Sequence, residues 1–320
     1  MAHRTLAAPG PVDRHRPAGR ARWRPRTGGH LLALVMIFAV ATQAGAAGAE
    51  APVQVIARAL QPGEVVRLVV RCQCGGASPT ASFEGGDVPL IAVSMEDGQT
   101  VWEGLLGLDL DIEPGDLPVT VYLPGASAPT QLDLRIAPKK FVTRRLTVAP
   151  AYVDPPPPVV ARILDEADRL DALYATTTER AWPGAVVPPV SASRTGRFGA
   201  RSVFNGEPRS PHAGVDFRSP AGAPVQAPAP GRVVLAGDLY FTGNTVVIDH
   251  GAGVVSVLAH LSTLLVTEGD AVDRGDLVGR VGATGRATGP HLHWSVRLHG
   301  ARVDPMSLVF AMRPGAVGNQ

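Results

Sequence analysis

Between residues 51 and 148 short apolar runs alternate with Pro, Gly and Asp turns: PVQVIARAL, EVVRLVV, TASFE, VPLIAVSM, TVWEGLLGL, LPVTVYL, TQLDLRIA and FVTRRLTV. Runs this short, rich in β-branched and aromatic residues and bounded by turn formers, predict strands; their regular spacing predicts a small β-sandwich of immunoglobulin-like kind. No histidine or charged cluster marks a site in it. The period then changes. After the stiff polyproline spacer Pro155–Pro158, VVARILDEADRLDALYA places Val159, Val160, Ile163, Leu164, Ala167, Leu170 and Leu173 at i, i+3, i+4 spacing, with acids and arginines opposite. That stripe predicts an amphipathic helix of about four turns. Such stripes usually dock on their own chain; an activator or regulatory partner bound through the 159–173 helix is the alternative. From Trp182 the chain passes through Pro189 into a second β-rich region. The expected fold class is all-β with one linker helix, and the expected organisation is a leader over 1–46, a sandwich over 51–148, a proline-rich linker and helix over 149–181, a second domain over 182–310 and a tail over 311–320.

The first thirty residues follow neither period. They hold seven arginines and one acid, and are followed by LLALVMIFAV and then by small residues ending in AGAAGAEA. A basic region, an apolar core and an A-x-A site predict a secretory signal peptide cut after Ala46 or Ala49. An uncleaved anchor is the alternative, since the apolar stretch falls somewhat short of the roughly 20 residues of a spanning helix. Export changes the charge: of 30 basic and 28 acidic residues, the segment 1–46 takes seven and one, leaving a mature net charge of −4. A mildly acidic chain offers no case for nucleic-acid binding. The expected location is the periplasm or cell envelope, or the medium after secretion. Cys72 and Cys74 are the only cysteines; on a regular strand a bridge at this spacing is strained, so a bridge, free thiols and an intermolecular link all stay open.

Chemistry concentrates near the C-terminus, in His212 and Asp216 of SPHAGVDF, His260 of LAHLS, and His291 and His293 of TGPHLHW. Strand residues two or four apart project to one side. His291 and His293 therefore point into one groove, and so do His212 and Asp216 if HAGVDF is extended. Gly214, Val215 and the flanking Pro211 and Pro220 argue against the helical alternative. Zinc prefers imidazole and carboxylate ligands, and a catalytic site needs three of them with a position left for water. The set supplies three with two histidines over, which points to a zinc hydrolase. His250 in IDHG and His299 in RLHG read as surface or hydrogen-bonded turn residues. GRVGATGRATG lacks the GK[ST] ending of a phosphate loop and precedes a strand, so it reads as a tight loop delivering His291. EGDAVDRGDLVGRVG has the look of a lipoyl or biotinyl carrier, but the only lysines, Lys139 and Lys140, are far upstream.

The stretch RFGARSVFNGEPRSPHAGVDFRSPAGAPVQAPAPGRVVLAGDLYFTGNTVVIDHGAGVVSVLAHLS, with EGDAVDRGDLVGRVGATGRATGPHLHWSV and VDP, resembles the catalytic domain of lysostaphin-like zinc metallopeptidases from about Arg197 to Pro305. The resemblance implies hydrolysis of peptide bonds in the stems or cross-bridges of bacterial peptidoglycan. It also implies one Zn²⁺ per chain held by His212, Asp216 and His293, with His260 and His291 flanking the water. One of that pair would serve as general base and the other would stabilise the oxyanion or leaving nitrogen, with the roles open to exchange. Tyr240 and Asn244 match positions near the family's groove, although Gly243–Asn244 is equally a hairpin turn. The resemblance extends to amino-terminal domains in exported peptidases of this kind, which supports a structural or substrate-orienting sandwich; a pro-domain occluding the groove is the sharper alternative. The rival function is a catalytically inactive wall-binding protein or amidase activator on the same fold. Such activators lack some ligands, and this chain keeps all five groups.

Overall fold

The computed structural model describes residues 52–147, 157–179 and 184–314; the expected signal peptide lies outside them. The first eight strands are β1 (Val53–Ala57), β2 (Val65–Cys72), β3 (Thr80–Phe83), β4 (Gly86–Val88), β5 (Ile91–Glu96), β6 (Gln99–Gly107), β7 (Gly115–Tyr122) and β8 (Thr130–Ile136). They form two antiparallel sheets of order β1-β2-β6-β5 and β4-β3-β7-β8, closed on a core that includes Val66, Leu68, Leu106, Val119, Val121 and Leu134. Seven of the eight apolar runs supply strands of this sandwich, and the short β4 was not legible among them. β2 is buried along its whole length. A strand covered on both faces reads as a continuous apolar run rather than an alternation, and the second cover here is the C-terminal half of the protein. Val65, Leu105 and Leu110 belong to that half's core.

The eighth run, FVTRRLTV, departs from the sandwich. Its strand β9 (Thr143–Leu146) leads to α1 (Pro157–Ala175), then β10 (Ser193–Arg194), β11 (Arg201–Phe204) and β12 (Glu207–Arg209). β9 pairs in parallel with β11, Thr143 to Leu146 opposite Arg201 to Phe204, and β11 pairs with β12 as a hairpin. The last two prolines of the spacer open α1, where a missing N–H breaks no hydrogen bond. Along α1 the half-buried positions are Val159, Ile163, Glu166, Leu170, Leu173 and Tyr174. Leu170, Leu173 and Tyr174 pack on Leu235, Leu239, Val247, Val255 and Val257, and Glu166 accepts from the Tyr240 amide at 2.7 Å. Most of the stripe is thus docked on its own chain, with Val160, Leu164 and Ala167 left exposed.

The remaining strands are β13 (Gly214–Arg218), β14 (Pro224–Gln226), β15 (Gly231–Leu239), β16 (Gly243–Asp249), β17 (Val254–Leu264), β18 (Ala271–Val272), β19 (Leu277–Val281), β20 (Leu292–Leu298) and β21 (Ala301–Val303), followed by α2 (Pro305–Ala311). They build a sheet of order β10-β13-β20-β17-β16-β15-β18, with β14 and β21 attached through β19 and β20. β20 alternates cleanly: Leu292, Trp294, Val296 and Leu298 are buried, and His293, Ser295 and Arg297 face the other way. α2 starts at Asp304–Pro305, where the Asp304 carboxylate caps the Met306 amide at 2.9 Å.

The two halves meet over a polar seam as well as an apolar one. The Val65 amide donates to Ser307 Oγ at 2.8 Å, and Asp304 N donates to Gly63 O at 2.7 Å. Buried Glu64 takes Arg58 at 2.8 Å and Lys139 at 3.0 Å. Cys72 and Cys74 are disulfide-bonded with Cα atoms 5.2 Å apart. β2 ends at Cys72, so the chain is free to contract there into a bridgeable distance.

Candidate metal centre

Three strands and one turn bring the five residues together. Asp216 on β13 lies directly opposite His293 on β20, and His293 lies opposite Ala259 on β17. His260, the next residue, has φ of +64°. The β16–β17 register slips by one residue there, with Val246 opposite Leu258 and Asn244 opposite Leu261. This bulge turns the His260 ring to the same side as His293. His291 enters β20 through a bridge to Gly282. His212 is not on a strand: it sits two residues before β13, in the turn that leaves the β11–β12 hairpin. Its backbone is pinned on both sides, Gly199 N donating to His212 O at 2.8 Å and His212 N to Ala200 O at 2.9 Å.

His212 Nε2, His293 Nδ1 and Asp216 Oδ1 form a triangle with edges of 2.9, 2.9 and 3.1 Å. Ligand atoms 2.0–2.1 Å from a tetrahedral zinc lie roughly 3.3 Å apart, so the observed spacing comes within a few tenths of that. The donor set fits a cation for a second reason. His212 Nδ1 faces the Arg197 carbonyl at 3.1 Å, and a carbonyl only accepts, so Nδ1 holds the proton and Nε2 of the neutral ring is a lone pair. It faces a carboxylate oxygen 2.9 Å away. A positive ion between two such acceptors resolves the arrangement, and the carbonyl behind the ring fixes its tautomer as outer partners of metal-bound histidines do. Burial alone would raise the Asp216 carboxyl, but its contacts with the His212 and His293 rings outweigh it and hold the pKa far below the usual carboxylate range. Burial pushes His293 down.

His260 and His291 stand beside the triangle with ring centroids 4.7 Å apart. His260 Nδ1 donates to Thr284 O at 2.9 Å, and His291 Nδ1 to Gly289 O at 2.8 Å. Both rings therefore keep Nε2 for the site, and His291 Nε2 lies 3.9 Å from Asp216 Oδ1. Burial is the main reason the His260 pKa is lowered to about 4, against the opposing hydrogen bond to Thr284. Asp216, His212, His291 and His293 side chains are 16–26% exposed, which leaves the cluster reachable from solvent.

Sequence reasoning brought these five residues to one place but missed what makes room for them. A Cβ at Gly214 would stand 2.5 Å from Trp294 O and 2.7 Å from the His293 ring. At Gly196 it would overlap the Asp216 carboxylate. Both glycines are close-approach positions rather than turns, for which neighbouring sequence gives no signal. The hairpin expected to turn at Gly243–Asn244 turns instead at residues 240–242, and Gly243, with φ of +61°, and Asn244 open β16; Asn244 N donates to Thr284 Oγ1 at 2.9 Å. His250 is a buried, hydrogen-bonded residue, and His299 has the left-handed backbone of a turn, with φ of +50°.

Comparison with known proteins agrees with this geometry. The model of peptidase family M23 matches residues 210–305. The chain is 44% identical over 97 residues to the DD-carboxypeptidase/endopeptidase Mpg of Neisseria meningitidis, and 43% identical over 97 residues to the peptidoglycan DD-endopeptidase ShyA of Vibrio cholerae. These matches cover 30% of this chain and 22% and 23% of the two relatives, so the chain spans about a fifth of the length of each. The crystal structure of a candidate M23 peptidase from Pseudomonas aeruginosa superposes with a TM-score of 0.58 at 33% identity, over 79% of this chain and 96% of that one. With a likeness that takes in nearly all of the Pseudomonas protein, upstream region included, the chain belongs to peptidase family M23.

Proposed function

We propose that the protein is an exported zinc metalloendopeptidase that hydrolyses peptide bonds in the stems or cross-links of peptidoglycan. The observation that carries the reading is the convergence of His212, Asp216 and His293 on one triangle with two further histidines presenting Nε2 beside it. His212, Asp216 and His293 would hold one Zn²⁺, which when bound lowers the pKa of a coordinated water to about 7 and polarises a carbonyl. His291 and His260 act on the proton. With Nδ1 committed to a backbone carbonyl, each neutral ring accepts at Nε2, and His291 is the one whose distance to the triangle is short. It takes the proton of the attacking water and gives it to the leaving amine as the C–N bond breaks. His260, neutral because buried, enters as a second acceptor; having no Nε2 proton until it receives one, it is suited to share that transfer rather than to stabilise an oxyanion from the outset.

The names of the two curated relatives support the substrate class, and the mature charge of −4 argues against nucleic acid. Among the described residues no helix is long and apolar enough to cross a membrane. The strand orders β1-β2-β6-β5 and β4-β3-β7-β8 support the immunoglobulin-like reading of the sandwich. The test is zinc content and muropeptide release by the purified chain beside three variants. His293→Ala and Asp216→Ala are expected to lose zinc and activity. His291→Ala is expected to keep the metal and lose about 10²–10⁴ in rate. Wild-type cleavage by His291→Ala would remove its proposed role, and absence of zinc from the wild-type chain would remove the reading altogether.

A further inference from the structure

Behind the triangle, His212 is held by residues 197–200: its carbonyl and amide bond to Gly199 and Ala200, and its ring bonds to Arg197 O. What holds residues 197–200 in turn comes from far upstream. The Phe198 side chain is buried between two upstream groups. On one side is Gly63 of the sandwich, with φ of +84°, where any Cβ would overlap the Phe198 ring. On the other is Phe141, edge-on with ring centroids 6.4 Å apart. The Phe141 ring also fills the space over Gly199, whose φ of +77° and lack of a side chain allow the contact. The next residues continue the grip: Arg201 N donates to Val142 O at 2.8 Å, and β9 then pairs with β11 over four residues. Lys139 stands 5.5 Å over the Phe141 ring and is itself bonded to Glu64 and Pro62 O.

We propose that the upstream region is a socket for the His212 turn, and that Phe141 is its positioning residue, setting the geometry of the metal site through Phe198 and Gly199. The inference rests on the reading of His212 as a metal ligand. It assigns the sandwich and the Phe141–Leu146 strap a constructive role, the opposite of a domain that occludes the groove. A histidine on a loop has more freedom than Asp216 and His293, which β13 and β20 fix in register, so it is the ligand that needs outside support.

The experiment uses the full chain with Phe141→Ala and Phe141→Leu. Zinc affinity is measured by chelator competition, amide exchange at Gly199 and His212, and kcat and KM on a muropeptide. Phe141→Ala is expected to weaken zinc binding by roughly 10–100-fold, the effect typical of losing support behind a ligand. The Gly199 and His212 amides should exchange faster while Val247 in β16 keeps its protection, and kcat should fall with little change in KM. Phe141→Leu, which keeps an apolar side chain but not the ring that meets Phe198 and Gly199, should show each loss in milder form, with zinc affinity down about 3–10-fold, and serves as the deciding variant if Phe141→Ala does not fold. Wild-type zinc affinity and exchange in the variants would overturn the proposal. So would equal acceleration at Val247, which would make Phe141 a general stabiliser. If the wild-type chain binds no zinc, the ligand reading falls, and the exchange pattern alone decides whether Phe141 positions the His212 turn.

Discussion

His250 offers a measurement of how burial of a titratable group is linked to stability away from the metal site. It is 1% exposed, and a chain of hydrogen bonds accounts for each of its polar atoms. Nδ1 donates to Pro230 O at 2.8 Å, Nε2 accepts from Ser256 Oγ at 2.9 Å, and Ser256 Oγ accepts from Trp294 Nε1 at 3.2 Å. A second proton on the ring would turn Nε2 into a donor facing a hydroxyl that already donates to it. Burial, the largest cause, accordingly lowers the His250 pKa from 6.5 to about 4. The unfolded chain then binds the proton first, so the contribution to stability is intact above about pH 6.5 and is lost as pH falls toward 4. The displacement corresponds to about 2 kcal/mol lost at pH 5 and about 3 kcal/mol at pH 4. The assay is denaturant unfolding at pH 7.5 and pH 5 of the wild type and of His250→Gln, with a chelator present to remove metal linkage. His250→Gln should be the less stable protein at pH 7.5, with a loss between the two pH values smaller by about 2 kcal/mol. His260, His293 and His299, whose pKa values burial also lowers, remain in both proteins and cancel in the comparison. Parallel losses in the two proteins would refute the assignment to His250.

Gly214→Ala should cost about 1–3 kcal/mol and weaken zinc binding, because the added methyl meets the rigid Trp294 carbonyl as well as the His293 ring; thermal unfolding and chelator competition read the two effects. Glu64→Gln, whose side chain is 3% exposed between Arg58 and Lys139, should lower stability by about 1–3 kcal/mol, because Lys139 loses its carboxylate while Arg58, partly exposed, keeps Asp304 at 2.7 Å; a shift of the urea midpoint at unchanged slope tests it. Replacing Cys72 and Cys74 together by serine should cost only about 1–2 kcal/mol, since the bridge closes a loop of three residues and loop-closure entropy is small at that length; a larger drop in the unfolding midpoint would show that the bridge does more than restrain the unfolded chain.

The site was legible where its geometry follows from strand period. His293 and Asp216 sit on neighbouring strands in register, and His291 shares the side of His293, as two-residue spacing requires. His260 was legible as a residue type but not as a position: a non-glycine residue at positive φ on a long strand depends on a bulge, and the slip that creates it is a matter of partner register. His212 does come within 3.1 Å of His293 and 2.9 Å of Asp216, yet the expectation that it and Asp216 share one extended strand holds only from Gly214 onward. The fold was legible in the same sense. Alternation and turn residues marked seven of the eight sandwich strands, and the helical stripe marked α1. They did not mark that β2 is covered on both sides, since a fully apolar run looks the same whether its second cover is its own sheet partner or another half of the molecule. Nor did they mark α2, although Asp304–Pro305 is a helix-start pair.

The difference between the two kinds of residue is one of range. A ligand declares itself by its own chemistry, and its neighbours on the strand declare the direction it faces. The residues that stiffen a ligand are glycines and aromatics whose type carries no function and whose partners are remote: Gly63 meets Phe198, and Phe141 meets both Phe198 and Gly199. Loop-borne His212 depends on them, while strand-borne Asp216 and His293 take their rigidity from ladder hydrogen bonds within the sheet. A peptidase domain bounded by where its motifs begin would leave the histidine turn without its socket, because the motifs mark the chemistry and the supporting contacts lie 57 to 135 residues upstream of Phe198. The relevant unit is therefore the one whose packing is closed around the site, and here that unit includes β9 and the edge of the sandwich.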